Sequence, residues 1–144
     1  MTEISFYILA SESLEERYRF ACRLIEKVYH RGQFCDVLLD NDENCAFFDD
    51  LLWTFRAGSF IPHERYNNQP FNAQVKQVFL RTPTSSPQNT HTLLCNLSAQ
   101  LPKDWQTATR ILEILDNSQS SKIAGRQRYT IYKQSQATLT TYKI

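Results

Sequence analysis

Strand, helix, strand, helix, joined by short links, is the pattern that opens this chain, and it leaves few ways to fold. Ile4 to Leu9 is an apolar run of strand character that starts almost at the N-terminus. Ser13 and Glu16 then form a Ser-x-x-Glu capping box. Leu14, Tyr18, Ala21, Cys22, Ile25, Val28 and Tyr29 recur at helical spacing until Gly32 stops them. Phe34 to Leu39 carries a single charge and fits a buried strand. A second helix is expected from Asp42, with Asp42 and Glu43 at its positive end and Cys45, Phe48, Leu52 and Phe55 on one side. Short alternating units of this kind build a parallel sheet through right-handed crossovers. The expected fold is a single α/β domain over residues 1–144, a mostly parallel, Rossmann-like sheet flanked by helices.

Downstream the pattern is less regular. Val75 to Leu80 and Thr92 to Leu97 are strand candidates, and the stretch from Thr82 to Asn89, with two prolines, reads as a polar, exposed and mobile loop. Thr109 to Leu115 suits a strand by its β-branched residues and a helix by its Leu and Glu. A last helix is expected from Ser118 to Ser135, and the Thr-rich end after it as loop or tail. Neither an internal repeat nor a domain linker stands out. The chain's 144 residues, 42% apolar and 22% charged, belong to an ordinary globular domain. No apolar run approaches the roughly 20 residues that span a bilayer, and no leader precedes the first strand, so a cytoplasmic location without membrane contact is expected. Cys22, Cys35, Cys45 and Cys95 fall within apolar helix and strand patterns and read as reduced core residues. A formal charge of +1 gives no nucleic-acid footprint over the chain as a whole.

A search for chemistry yields little. A doubly wound sheet that holds a nucleotide needs glycine after its first strand, so that backbone can approach phosphate. Here that turn is Ala10-Ser11-Glu12-Ser13, and the whole chain holds three glycines. His30, His63 and His91 are scattered, without metal-ligand spacing. His63 could act as a general base, but a histidine that bonds the turn or lies beside an aromatic interface is the expected reading. Asp49 and Asp50, with Glu43, suggest an acidic metal site only weakly, because adjacent helical residues do not face each other. Ser85 and Ser86 lack the glycines of a nucleophile elbow. No catalytic residue, cofactor or metal is expected.

Two segments hold more promise for binding. Leu52 to His63 reads as a helix end, the stop Gly58, and a short segment crowded with Trp53, Phe55 and Phe60 and closed by Pro62. Near the C-terminus, Arg126, Tyr129, Thr130 and Lys133 lie at i, i+3, i+4 and i+7, one helical stripe, with Ala124 and Ile131 expected to turn inward. The Trp-x5-Ser-Phe-Ile-Pro-His arrangement, the opening Ile4-Ser5-Phe6-Tyr7-Ile8-Leu9, and Arg126-Gln127-Arg128-Tyr129-Thr130-Ile131-Tyr132-Lys133 together resemble the chi subunit family of the bacterial DNA polymerase III clamp-loader complex. The resemblance runs over nearly the whole chain and is weak from Glu64 to Lys103. It also decides Thr109 to Leu115 as a strand.

The resemblance implies a non-catalytic accessory subunit with two partners, while polymerase activity resides elsewhere in the assembly. Trp53, Phe60, Ile61 and Pro62 would dock a psi-type clamp-loader subunit, with Phe60 the foremost contact and Phe55 an additional one. The C-terminal helix would capture the acidic C-terminal tail of single-stranded-DNA-binding protein. Arg126 would bind the terminal carboxylate, Tyr129 would wall a pocket for the last side chain, and Lys133 would attract the acidic residues before it. Thr130 stands where relatives often carry a further basic residue, and Arg128 or Lys143 could supply that charge. A glycine common after this helix is replaced by Ser135-Gln136-Ala137. DNA would then be reached only indirectly. Alternatives are an adaptor that binds a repair helicase through the Phe60 patch, single-stranded DNA stacked directly on Tyr129 or Tyr132, and a degenerate nucleotide-binding or hydrolase domain.

Overall fold

The computed structural model describes residues 2–66, 76–83 and 91–144. Within them the elements run β1 (Glu3–Ile8), α1 (Leu14–Tyr29), β2 (Asp36–Leu38), α2 (Asp42–Thr54), β3 (His63–Arg65), β4 (Val78–Arg81), β5 (Leu93–Asn96), a 3₁₀ turn (Trp105–Thr107), β6 (Arg110–Leu115), α3 (Gln119–Gln134) and β7 (Thr138–Lys143). The seven strands form one sheet in the order β3-β4-β2-β5-β6-β1-β7. Every pairing in it is parallel.

Handedness then fixes the layers. From β1 to β2 and from β2 to β3 the chain steps toward the β3 edge, and from β6 to β7 it steps the other way. Right-handed crossovers in opposite directions place their helices on opposite faces. Accordingly α1 and α2 share one core with Val37, Leu39, Leu80, Cys95, Leu112 and Ile114. Tyr132 of α3 packs on the other face with Ile4, Phe6, Leu94, Ile111, Leu115 and Trp105.

The local signals act much as expected, with two corrections at caps. Ser13 accepts from the Glu16 amide at 3.2 Å, but the reciprocal bond of a capping box is replaced by Ser11, whose hydroxyl accepts from the Ser13 amide at 3.0 Å. After α3, Gln136 takes the left-handed conformation, φ 62°, at the place where a glycine would be at ease. The four cysteines are free and buried, and burial pushes the Cys22 thiol up to about 12 and Cys45 to about 11. The C-terminal segment is not a tail. β7 pairs with β1 from Glu3↔Thr138 to Ile8↔Lys143 and forms one edge of the sheet. The other edge, β3, was also absent from the sequence pattern. Of the expected strand Val75 to Leu80, Val75 lies outside the described residues, as do residues 84–89 of the proline-containing loop.

Candidate functional site

At the carboxyl ends of the strands, where a doubly wound sheet holds a nucleotide, a crevice of about 290 Å³ includes Arg17, Asp40, Asp116 and Arg128 in its lining. Its charges answer one another. Arg17 donates to the carbonyls of Ile114 (2.8 Å) and Leu97 (3.1 Å) and lies 3.9 Å from Asp116. Ser118 caps α3 by accepting from the Ser121 amide, so the helix end is occupied by the chain's own hydroxyl. No buried side-chain polar atom among the described residues is left without a partner. Among the described residues there is also no group of three His, Cys, Asp or Glu placed to hold a metal, and no helix long and apolar enough to cross a membrane.

The aromatic corner is built by alternation. α2 ends at Thr54, and the chain turns at Gly58, whose φ of +81° suits glycine. From there Ser59 and Ile61 point inward and Phe60 and Pro62 outward. Ser59 donates its hydroxyl to Glu26 at 2.6 Å, and Arg56 pairs with the same carboxylate, tying the corner to α1. Burial alone would raise the Glu26 carboxyl, but the bonds from Ser59 and Arg56 outweigh it and hold it below its ordinary value. Phe60 is left 74% exposed and Trp53 50% exposed. His63 fixes the base of the corner. Its ring nitrogens lie 2.7 Å from the Ile61 carbonyl and 2.7 Å from Asp49, and its ring centre lies 4.3 Å from Trp53. Asp49 also accepts from Arg65 at 3.3 Å, whereas Asp50 faces water. One expected contact residue is corrected here: Ile61, 1% exposed, belongs to the core and anchors the corner from within. Phe55 is half-buried and packs against that same core.

On the opposite face, α3 presents Arg126, Tyr129, Thr130 and Lys133 to solvent as one stripe. Beside it lies a hollow of about 240 Å³. Phe6, Ile8 and Leu115 give it apolar walls, and Lys122, Arg126 and Tyr129 stand on its helical side. Tyr129 is held 5.4 Å from the Phe6 ring. Thr130 turns its hydroxyl back to the Arg126 carbonyl at 3.0 Å. Lys122 was missed from the sequence, although it sits four residues before Arg126 on the same stripe. A cationic pair beside an apolar hollow suits a terminal carboxylate attached to an apolar side chain.

The hollow depends on Gly125. A Cβ there would come within 2.5 Å of Leu115 Cδ1, and Leu115 is one of its walls. Gly125→Ala is therefore expected to push Leu115 into the hollow, while helix propensity returns up to about 1 kcal/mol to α3. Thermal unfolding should show little change, and binding of a ligand in the hollow should fall severalfold. Equal binding by both proteins would show that the hollow is not used.

Arg128 is the second correction. It is 3% exposed and turned away from the stripe, with Nε 3.1 Å and Nη2 3.1 Å from the Glu113 carboxylate and Nη1 donating to the Ala99 carbonyl at 3.0 Å. Asn96 and the Tyr132 hydroxyl (2.7 Å) donate to the same carboxylate. Burial and the charge of Glu113 push the Tyr132 phenol far up, so it stays a donor. Tyr132 is therefore closed to stacking by a base. Ile131, expected to point inward, is 39% exposed; the inner face of α3 is formed by Gly125, Arg128 and Tyr132.

Comparison with known proteins agrees with the resemblance seen in the sequence. The family described as DNA polymerase III chi subunit, HolC, matches residues 1–140. DNA polymerase III subunit chi of Pseudomonas aeruginosa is 27% identical over 144 residues, covering 100% of this chain and 98% of that one. The subunit of the same name from Escherichia coli K12 is 21% identical over 146 residues, covering 98% and 97%. Among solved structures, the crystal structure of T4 UvsW superposes with a TM-score of 0.68 at 8% identity over 99% of this chain and 41% of its own, a likeness of fold alone. The chain belongs to the DNA polymerase III chi subunit family, an accessory subunit of that polymerase.

Proposed function

We propose that this member of the DNA polymerase III chi subunit family is a non-catalytic bridge. It would connect the clamp-loader complex, through a psi-type subunit, to the C-terminal tail of single-stranded-DNA-binding protein. The observation that carries this reading is the placement of two unlike surfaces. The Phe60 corner follows α2 beside the β3 edge, and the Arg126 hollow lies between α3 and the β7 edge, on the other face of the sheet. One rigid sheet would thus hold two partners apart without either obstructing the other. Each contact can be weak, because tethering raises the effective concentration of the second. In the hollow, Arg126 and Lys122 would take the terminal carboxylate, Tyr129 and Leu115 would enclose the last side chain, and Lys133 would steer the acidic residues before it.

Calorimetric titration with the terminal peptide of the host's single-stranded-DNA-binding protein tests this directly. Wild type should bind at low salt and more weakly as salt rises. Arg126→Ala should weaken binding roughly tenfold or more, the scale of a charge-assisted hydrogen bond, with an unchanged melting curve. Absence of binding at low salt would remove the tail from the reading and leave the family membership standing.

A further inference from the structure

A different groove, on the α1 face of the sheet, has a chemistry that neither partner accounts for. It encloses about 630 Å³ and is lined by α1, β1, β6 and β7. On its floor Tyr7 and Tyr142, register partners in β1 and β7, stack with centroids 5.1 Å apart and planes 17° from parallel. Tyr142 is 44% exposed, and the Phe20 ring stands 5.5 Å from Tyr7. Arg23 and Lys27 of α1, Arg31 in the turn after it and Arg110 at the start of β6 line the groove, and among the described residues no Asp or Glu side chain does. None of these four cations forms an ion pair with a described residue. In a chain of net charge +1, four cations around one groove concentrate positive potential that the whole molecule does not show.

Two kinds of polyanion could answer that charge, an acidic protein segment or a nucleic acid. The geometry favours the second. Arg23 and Lys27 are one helical turn apart, about 6 Å, the same order as the distance between phosphates of an extended strand. Arg31 continues the row in the turn after α1. Across that row, from α1 toward the β7 edge, run the rings of Phe20, Tyr7 and Tyr142, which an acidic peptide does not need and which bases stack on regardless of sequence. Arg23 already lies over the Phe20 ring at 5.9 Å. We propose that this groove binds single-stranded nucleic acid, its phosphates following Arg23, Lys27 and Arg31 and its bases meeting Tyr142 and Phe20. The groove is separate from the Arg126 hollow, so this inference does not rest on the tail reading.

Fluorescence anisotropy with a labelled oligothymidylate of about 16 nucleotides tests it, using the full chain and no other protein. With Arg110 as a fourth phosphate contact beside Arg23, Lys27 and Arg31, the salt slope for a single strand should be near −3, so a fourfold rise in salt should weaken binding about 50-fold. With Arg23, Lys27 and Arg31 all changed to Ala, the same rise should weaken it only about threefold. Tyr142→Ala should lose affinity without changing the slope, and Arg126→Ala should bind as wild type does. All these side chains are exposed or half-buried, and equal melting curves would confirm that the variants fold. Three results would overturn the proposal: no binding at low salt, a triple variant equal to wild type, or loss through Arg126→Ala instead. Competition by polyglutamate as effective as unlabelled oligonucleotide would also overturn it, in favour of an acidic protein segment.

Discussion

Arg128→Met is expected to lower folding stability by about 3–5 kcal/mol, the cost of leaving a buried charge without its partner. Glu113 is wholly buried in the middle of β6, and Arg128 is the cation that compensates it. Asn96 and Tyr132 would still donate to the carboxylate, but neither carries charge. For a chain of this length the melting temperature should fall by about 10 °C or more. Adding Glu113→Gln removes the orphaned charge, so the double variant should regain at least about 1 kcal/mol. Urea unfolding of the three proteins measures both quantities. A loss under about 1 kcal/mol in the single variant would show that Arg128 does not anchor α3 as described. Because the pair ties α3 to β6, tail binding should weaken in Arg128→Met as well, although Arg128 is turned away from the hollow. Arg126→Ala should weaken binding and leave unfolding alone. The contrast separates a residue that holds the surface from one that forms it.

That distinction was readable in the sequence, from β6 more than from the helix. A lone Glu113 within Ile111-Leu112-Glu113-Ile114-Leu115 signals a buried acid, which calls for a buried cation. Arg128 lies two residues from Arg126, about 200° around a helix, so the two cannot share a face. The family motif placed them together and the helical period separates them. Elsewhere, success followed local signals. α1 announces itself by its Ser13 cap and, like α2, by helical periodicity, and β1 and β5 by apolar runs that both faces of the sheet bury, whereas β6 is ambiguous by pattern and is decided by the family resemblance. The missed strands are the two edges. β3, His-Glu-Arg, and β7, Thr-Leu-Thr-Thr-Tyr-Lys, are held by backbone pairing with a neighbour and bury little, so no hydrophobic pattern marks them. Edge strands of this composition are polar for a reason: charge and hydroxyl discourage further pairing. The outward turn of Phe60 was expected from the family resemblance; the alternation that causes it, with Ser59 and Ile61 buried on either side, was not read from the sequence, and Ile61 was set on the contact surface beside Phe60.

Phe60→Ala should cost about 2 kcal/mol or more in binding to a psi-type subunit, roughly 30-fold in affinity, as expected for a large aromatic at the centre of an interface. It should change folding stability by no more than about 0.5 kcal/mol, because the side chain is 74% exposed and its removal opens no cavity. Ile61→Ala should do the reverse, costing about 2–5 kcal/mol of stability through the core it vacates. It should affect binding only so far as the corner loosens. Trp53→Ala lies between, since Trp53 is half exposed yet packs on His63, which itself bonds Ile61 and Asp49. Titration of a purified psi-type subunit, paired with thermal unfolding of each variant, sorts the three. Unchanged affinity in Phe60→Ala would remove the corner from the partner interface. A loss there should leave tail binding intact, because the two surfaces lie on opposite faces of one sheet and share no side chain. The Phe60→Ala, Arg126→Ala double variant should therefore lose both partners with additive energies. Coupling of more than about 0.5 kcal/mol would mean that the sheet transmits one occupancy to the other, and that the bridge is a switch as well as a tether.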